Sequence, residues 1–197
     1  ETESKLPEIV KNIALIYKEL GQNDKALAAI ETARASNPDD VGLIITAANI
    51  YFELDNKEAF KLAMSEAIKK EPNNPLLYYN LGVVSGELGE KEAAVSYYEK
   101  SIELDPSNEN SYLNLVALIL DGEQEIVSEM NNLGTSRSDN LRYDELKKVR
   151  EDLYKQCVPI LKDLIAINNN VEAIRTLMNI YGTLGDNPGY VEMRNLL

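Results

Sequence analysis

The chain has 197 residues, of which 44% are hydrophobic and 27% charged, and its formal net charge is −13. This composition is typical of a folded protein rather than of a disordered one. The acidic excess disfavours nucleic acid and anionic membrane surfaces as partners, because both recruit clusters of Lys and Arg. We therefore expect the chain to bind no nucleic acid.

No segment of the sequence reaches the roughly 18 uncharged apolar residues of a membrane-spanning helix. We therefore expect no direct insertion into a membrane. A signal peptide is not present either. The chain begins at Glu1 rather than at a methionine, so a leader or an anchor could have been removed from it.

Histidine is absent from the sequence, and Cys157 is its single cysteine. The commonest general base and the commonest neutral nitrogen ligand of metals are therefore missing, as is every Ser-His or Cys-His pair. The sequence also lacks a phosphate-binding glycine loop, paired-cysteine metal spacing and a calcium loop. We expect no catalytic residues, no metal site and no cofactor, and hence a protein that is not an enzyme.

Proline-containing stops recur with a period of 34 residues, at Pro38, Pro72 and Pro106. Between them, apolar residues are spaced as on one face of a helix. Proline cannot continue the preceding helix but is tolerated in the loop that leads into the next one. The pattern predicts units of two helices each, at about residues 7–40, 41–74 and 75–108.

Side-chain sizes in the third unit suit a closely packed helix pair. Gly82 is small enough to let the two helices approach, and Tyr98 would fill the space beside it. Gly21 and Gly89 fall in the turns between paired helices, where a left-handed backbone conformation is favoured.

This third unit resembles the tetratricopeptide repeat in its 34-residue period and in the residues Tyr78, Leu81, Gly82, Ala94 and Tyr98. The resemblance implies an all-α fold, a right-handed superhelical solenoid of helical hairpins with about five repeats. Phe60 stands where this family prefers alanine, so we expect its ring to open the second helix pair locally.

The fourth unit, at about residues 109–170, is interrupted. The proline expected at position 140 is replaced by a polar stretch, and second-helix character returns only later in the chain. We place an insertion at about residues 121–145 and predict an extended helical hairpin, with both flanking helices lengthened and Asp139 or Asn140 as the cap of the second. A fifth unit follows at residues 171–197, so the whole of 1–197 would form a single array.

Stacked helix pairs of this kind form a concave surface, lined mainly by the first helix of each unit, that usually binds the ligand. The resemblance therefore implies a non-catalytic scaffold or adaptor that holds a peptide or protein segment in this groove. Apolar side chains and asparagines in it would hold the side chains and backbone amides of such a segment. By register the groove residues are Lys11, Asn12, Leu15, Ile45, Asn49, Phe52, Tyr79, Asn80, Val83, Leu113, Asn114 and Ala117.

Some members of the family bind the acidic carboxyl termini of chaperones through a clamp of lysines, arginines and asparagines. Lys11 fits one clamp position, but Leu15 and Thr46 stand where asparagines would be, and no Lys-Arg pair follows in the later first helices. We therefore predict a partner segment that is apolar or basic rather than acidic.

The inserted hairpin offers a possible second interface at Ile126 and Met130, although it could instead only pack against its neighbours. The insertion also resembles one in a subgroup of bacterial, often envelope-associated, tetratricopeptide proteins. The alternative function is thus a structural subunit of a larger envelope assembly, which associates with itself or other chains through the array ends and the hairpin. The location stays open between the cytoplasm and the bacterial periplasm or cell envelope, with the resemblance slightly favouring the envelope.

Overall fold

The structure is a computed structural model, and it describes residues 6–197. These residues form eleven α-helices and no β-strand, so the predicted all-α fold class is confirmed. The helices fall into two compact units, unit 1 (Glu1–Leu104) and unit 2 (Asp105–Leu197). The single array predicted over residues 1–197, with its five repeat boundaries, stays a prediction, and its first five residues lie outside the described part.

Unit 1 consists of six helices of similar length, each packed against the next in the chain. Helix α1 also contacts α3, as expected when helix pairs stack on one another. The helices are α1 (Leu6–Glu19), α2 (Asn23–Ser36), α3 (Val41–Glu53), α4 (Lys57–Lys70), α5 (Pro75–Glu87) and α6 (Lys91–Leu104).

Short polar side chains fix where these helices begin. The Asp40 carboxylate accepts a hydrogen bond from the backbone N–H of Leu43 at 3.0 Å. The Asn74 side chain caps α5 in the same way, and Pro75 occupies the first turn, where its missing N–H costs nothing. These caps set the starting points of the two helices that carry the candidate site.

The small residue Gly82 brings α5 and α6 close together, as predicted. A Cβ atom added to it would lie 2.7 Å from two ring carbons of Tyr98, which is nearly fully buried. The turns also follow the prediction, since Gly21 and Gly89 have φ angles of +70° and +76°. The repeat pattern in the sequence therefore encodes both the helix spacing and the turn conformation of unit 1.

Unit 2 departs from the pattern of consecutive helix pairs. Helix α7 packs against α9 rather than mainly against its neighbour in sequence, α8, which has its own contact with α9. Helix α9 then contacts α10, and α10 pairs with α11. The bounds are α7 (Glu109–Ile119), α8 (Glu123–Asn132), α9 (Arg137–Asn168), α10 (Val171–Leu184) and α11 (Asn187–Leu196).

Only one of the two helices expected to be lengthened by the insertion is long. Helix α9 spans 32 residues, but α7 ends after 11 residues and the insertion begins with a separate helix. Gly122, with φ +86°, separates α7 from α8 in a conformation that a helix cannot contain. The expected cap was also wrong: Ser136 caps α9, with Asp139 completing a reciprocal capping box.

Two ionic clusters join α8 to α9. The Glu123 carboxylate accepts hydrogen bonds from Arg150 Nε and from the Tyr154 hydroxyl, both at 2.6 Å. Burial disfavours its ionised form, but these two bonds outweigh the burial, so the pKa of Glu123 lies below its usual range. Near the other end of α8, Arg142 Nε donates to Glu129 at 2.7 Å. The inserted hairpin is thus fixed at both ends.

Candidate functional site

A surface cavity of about 280 Å³ lies within unit 1. Asn49 and Phe52 reach it from α3, and Tyr79, Asn80 and Val83 reach it from α5. All five belong to the set that the sequence predicts for the groove. The structure therefore brings five predicted groove residues from α3 and α5 together around one cavity. Their role in binding stays a prediction.

Aromatic rings form much of the cavity wall. Phe52 is partly exposed, and its ring centroid lies 5.6 Å from that of buried Phe60 on α4, with the rings tilted by 56°. On the other side, the Tyr79 ring lies 6.2 Å from that of Tyr98. Tilted pairs at these separations are attractive, so the wall is both apolar and held in place.

Two amide side chains supply the polar groups of the cavity. Asn49 is exposed and Asn80 is half-buried, and neither side chain hydrogen-bonds to another of the residues that the structure describes. An amide can donate and accept at the same time, which matches the backbone of an extended peptide. No charged side chain lines the cavity.

Sequence reasoning missed two lining residues, Phe60 and Val84. The signal for Phe60 was present, because its ring stands in the register of Ala26 and Ala94, which are fully buried. The ring does not simply separate a helix pair, since it is buried and packs against Phe52 beside the cavity. Nothing in the sequence marks Val84 as a cavity residue, because an apolar side chain at this position is typical of the hydrophobic core.

The remaining predicted groove residues of unit 1 lie away from this cavity. Ile45 packs against the core formed by α3, α4 and α5. On α1, Lys11 is paired with Glu8 at 3.0 Å, and Asn12 and Leu15 are exposed. The cavity thus concentrates the predicted site at α3 and α5.

The other predicted residues belong to unit 2. On α7, Leu113 and Asn114 are half-buried and Ala117 is exposed. On α8, Ile126 and Met130 are both half-buried, and Met130 lines a second, smaller cavity beside α9. This second cavity lies wholly within unit 2.

Residues 6–197 contain no cluster of three or more His, Cys, Asp or Glu side chains that could hold a metal ion. The thiol of Cys157 is buried, and burial raises its pKa to about 11. A thiol with such a pKa is protonated at neutral pH and is a poor nucleophile. Over the same part of the chain, no helix is long and apolar enough to span a membrane.

Comparison with known proteins identifies the repeats. A family model described as tetratricopeptide repeat matches residues 12–40 and 76–108. The first matched segment covers the second half of α1 and all of α2, and the second covers α5 from its second residue and all of α6. The helices α3 and α4 lie between these segments in the chain. No curated protein matches the chain in sequence.

Solved structures share the fold at low sequence identity. A MamA structure matches with a TM-score of 0.65 and 16% identity, covering 98% of this chain and 90% of that one. PilW, a type IV pilus biogenesis factor, matches with a TM-score of 0.53 and 18% identity, covering 96% and 90%. The first tetratricopeptide domain of RPAP3, bound to the HSP90 peptide SRMEEVD, matches with a TM-score of 0.54 and 21% identity, covering 63% and 95%. Two segments of the chain thus match the tetratricopeptide repeat, and solved structures of tetratricopeptide domains share its helical fold.

Proposed function

We propose that unit 1 is a peptide-binding module that holds an extended segment of a partner protein across the cavity between α3 and α5. Tetratricopeptide proteins are generally interaction modules without catalytic activity. The observation that supports this site is the convergence of five predicted groove residues on one cavity. In this role the chain is a scaffold or adaptor.

The cavity suits an apolar side chain as the anchor of the bound segment. Its volume of about 280 Å³ exceeds the roughly 150 Å³ of a cavity that accepts benzene. Phe52 and Phe60 would contact the anchor, and the amides of Asn49 and Asn80 would bind the backbone on either side.

Charge favours apolar or basic residues beside that anchor. Residues 1–104 carry 18 acidic and 11 basic side chains, which gives a net charge of −7. Such a surface attracts cations and repels carboxylates over distances of about a Debye length. The RPAP3 domain was solved with an acidic peptide, and we propose that this chain differs from it in ligand charge.

The two phenylalanines of the chain, Phe52 and Phe60, both line the cavity. Protein labelled with 4-fluorophenylalanine therefore gives ¹⁹F signals from this site alone, and a Phe52→Leu variant assigns them. We expect a Gly-Ser peptide with one leucine between lysines to shift both signals. The same peptide with aspartates, and the peptide SRMEEVD, should bind at least about tenfold more weakly.

A folded variant with Asn49→Ala and Asn80→Ala should lose most of this binding. Leu62→Ala is the matched control, since Leu62 is 74% exposed on α4 and does not line the cavity. Equal binding by the double variant and the wild type would show that the cavity is not the ligand site. Tighter binding of SRMEEVD than of the lysine peptide would reverse the proposed charge preference.

The structural alternative is supported by a different surface. Helix α1 and Leu20, the residue that follows it, present a row of large apolar side chains that are between 42% and 63% exposed and are spaced as on one helix face. If no peptide shifts either ¹⁹F signal and serine substitutions in this row dissociate an oligomer, the chain is instead an assembly subunit. The row consists of Ile9, Ile13, Ile16 and Leu20.

A further inference from the structure

The inner end of the cavity in unit 1 is formed in part by a residue of a second helix. Of the described residues that line this cavity, six lie on α3 and α5, and Phe60 alone lies on α4. The concave side of stacked helix pairs is lined mainly by their first helices. Phe60 therefore reaches the cavity from behind, out of the core that α3, α4 and α5 share.

Phe60 stands at a position of the 34-residue period that alanine occupies in the other two helix pairs of unit 1. Ala26 and Ala94 are fully buried, and Phe60 is only 4% exposed. Its side chain therefore places a phenyl ring where the neighbouring pairs have only a methyl group. The ring belongs to the core and also lines the cavity, so it forms the boundary between the two.

The two phenylalanines lie at different depths of the cavity. Phe52 is 42% exposed, whereas Phe60 is nearly fully buried, and their ring centroids are 5.6 Å apart. Phe52 therefore forms part of the mouth, and Phe60 forms the inner end together with buried Val84. Close-packed core side chains cannot move aside without strain, so the inner end is fixed.

A bound segment fills part of the cavity with its backbone. In the proposed binding mode this backbone lies beside Asn49 and Asn80, so less than the full volume of about 280 Å³ is left for the anchor. Any part of a large anchor that the inner end does not admit stays in contact with water and adds no affinity from burial. The depth of the cavity therefore affects which anchor binds best.

We propose that Phe60 is the specificity-determining residue of this cavity, an inference that rests on the function proposed above. Its ring closes the inner end, so the chain selects partner segments anchored by a compact aliphatic side chain, such as leucine, over segments anchored by tryptophan. A smaller residue at this position deepens the cavity and shifts the preference toward tryptophan. Phe52, at the mouth, contacts either anchor and does not discriminate between them.

The test compares two lysine-flanked Gly-Ser peptides that differ only in the anchor, which is leucine or tryptophan. Phe60→Ala and Phe52→Ala are matched variants, because each removes one ring of the pair and leaves one phenylalanine as the ¹⁹F reporter. In Phe60→Ala, the affinity for the tryptophan peptide relative to the leucine peptide should rise at least about tenfold, since apolar pockets discriminate between side chains of different size by about 10–200-fold. In Phe52→Ala this ratio should stay as in the wild type.

The ratio of the two affinities separates selection from a merely structural role. If the Phe60 ring only stabilised the fold, its removal would weaken binding of both peptides by the same factor. Because removal of a core ring can unfold a domain, Phe60→Leu is a second variant, which retains more of the buried volume. It should shift the ratio toward tryptophan by a smaller factor, and an unchanged ratio in the folded Phe60 variants overturns the inference.

Failure of the proposed function gives a different result. If neither peptide shifts the ¹⁹F signals of the wild type, the cavity does not bind these segments. Free indole then tests Phe60 directly, because apolar cavities bind free aromatic molecules. Indole should bind Phe60→Ala at least about fivefold more tightly than it binds the wild type or Phe52→Ala. Equal binding of indole by the two variants overturns the inference even where the leucine peptide binds the wild type.

Discussion

Residues 21, 55 and 89 occupy the same turn in the three helix pairs of unit 1, and all three have a left-handed backbone. Their φ angles are +70° for Gly21, +54° for Asp55 and +76° for Gly89. A left-handed conformation costs residues other than glycine roughly 1–2 kcal/mol, because their Cβ approaches a carbonyl oxygen. Asp55 is thus the strained member of a set defined by the 34-residue period.

Replacing Asp55 by glycine should raise the free energy of unfolding by about 0.5–1 kcal/mol, since the strain is relieved but the unfolded chain gains freedom. Removing the Asp55 side chain costs little stability, because it is 89% exposed and its ion pair with Lys57 is long, at 3.9 Å. Urea unfolding would measure the change. Asp55→Ala is the control and should not stabilise, so an equal gain from both substitutions would contradict the strain argument.

At single positions, the sequence predicts the backbone conformation and the close approach of two helices better than it predicts cavities. The close helix approach at Gly82 and the left-handed turn at Gly89 could both be predicted, because each follows from a glycine at a given place in the 34-residue period. The cavity of unit 1 depends on how Phe60 packs against Phe52, and that packing is set by two helices together. Register could place Phe52 on the correct face but could not show that a hollow lies beside it.

The inserted hairpin is held by polar contacts more than by apolar ones. Helix α8 has no fully buried residue, so the usual stabilisation by burial of an apolar face is small here. The bonds from Arg150 and Tyr154 to Glu123, and from Arg142 to Glu129, connect it to α9. The position of α8 therefore depends on a few charged side chains.

Tyr154→Phe keeps the ring but removes one donor to Glu123. We expect it to weaken the attachment of α8 by about 1–2 kcal/mol, because the hydrogen bond is to a charged and partly buried group. Hydrogen exchange should become faster in α8 while α10 and α11 are unchanged. Tyr143→Phe, at an exposed tyrosine of the same helix, serves as the control and should have no such effect.

Acid should abolish the difference in α8 hydrogen exchange between the wild type and Tyr154→Phe. Because the pKa of Glu123 is lowered in the folded state, its stabilising effect is fully present above the ordinary glutamate pKa and is lost as the pH falls through the lowered value. Exchange rates of wild type and Tyr154→Phe in α8 should then converge. If the exchange rates of α8 still differ at low pH, the Tyr154 hydroxyl does not act through the ionised Glu123 carboxylate.

The hairpin shows how far helical periodicity predicts elements. It correctly indicated helices within the insertion, because the apolar residues of α8 and α9 are spaced for one face. It did not show that α7 ends before α8 begins, since Gly122 lies among residues that could continue a helix. Only the left-handed backbone at Gly122 reveals the break.

Across the whole molecule, the charge is nearly constant around neutral pH. The sequence has no histidine, and burial raises the pKa of Cys157 to about 11. Burial also raises the pKa values of Tyr51, Tyr112 and Tyr154. All of these groups therefore lose their protons at higher pH in the folded chain than in the unfolded chain.

The free energy of unfolding should consequently change by less than about 0.5 kcal/mol between about pH 6 and 8. It should fall above about pH 9, because groups with a raised folded-state pKa stabilise below the unfolded pKa and lose that effect as the pH rises. Urea unfolding at a series of pH values measures this profile. Cys157→Ala should reduce the alkaline loss, and a slope through neutral pH would indicate a titrating group that has not been identified.

The pairing of α7 with α9 affects the order in which the chain can fold. In the α5–α6 pair, Ser101 bonds to Pro75 across 26 residues, whereas Asn168 of α9 bonds to Glu109 of α7 across 59. Closing the longer loop costs about 0.7 kcal/mol more in chain entropy. On the ribosome, the α7–α9 contact also cannot form until α8 and α9 have been made. We therefore expect the α7–α9 pair to form later and more slowly during synthesis than the α5–α6 pair.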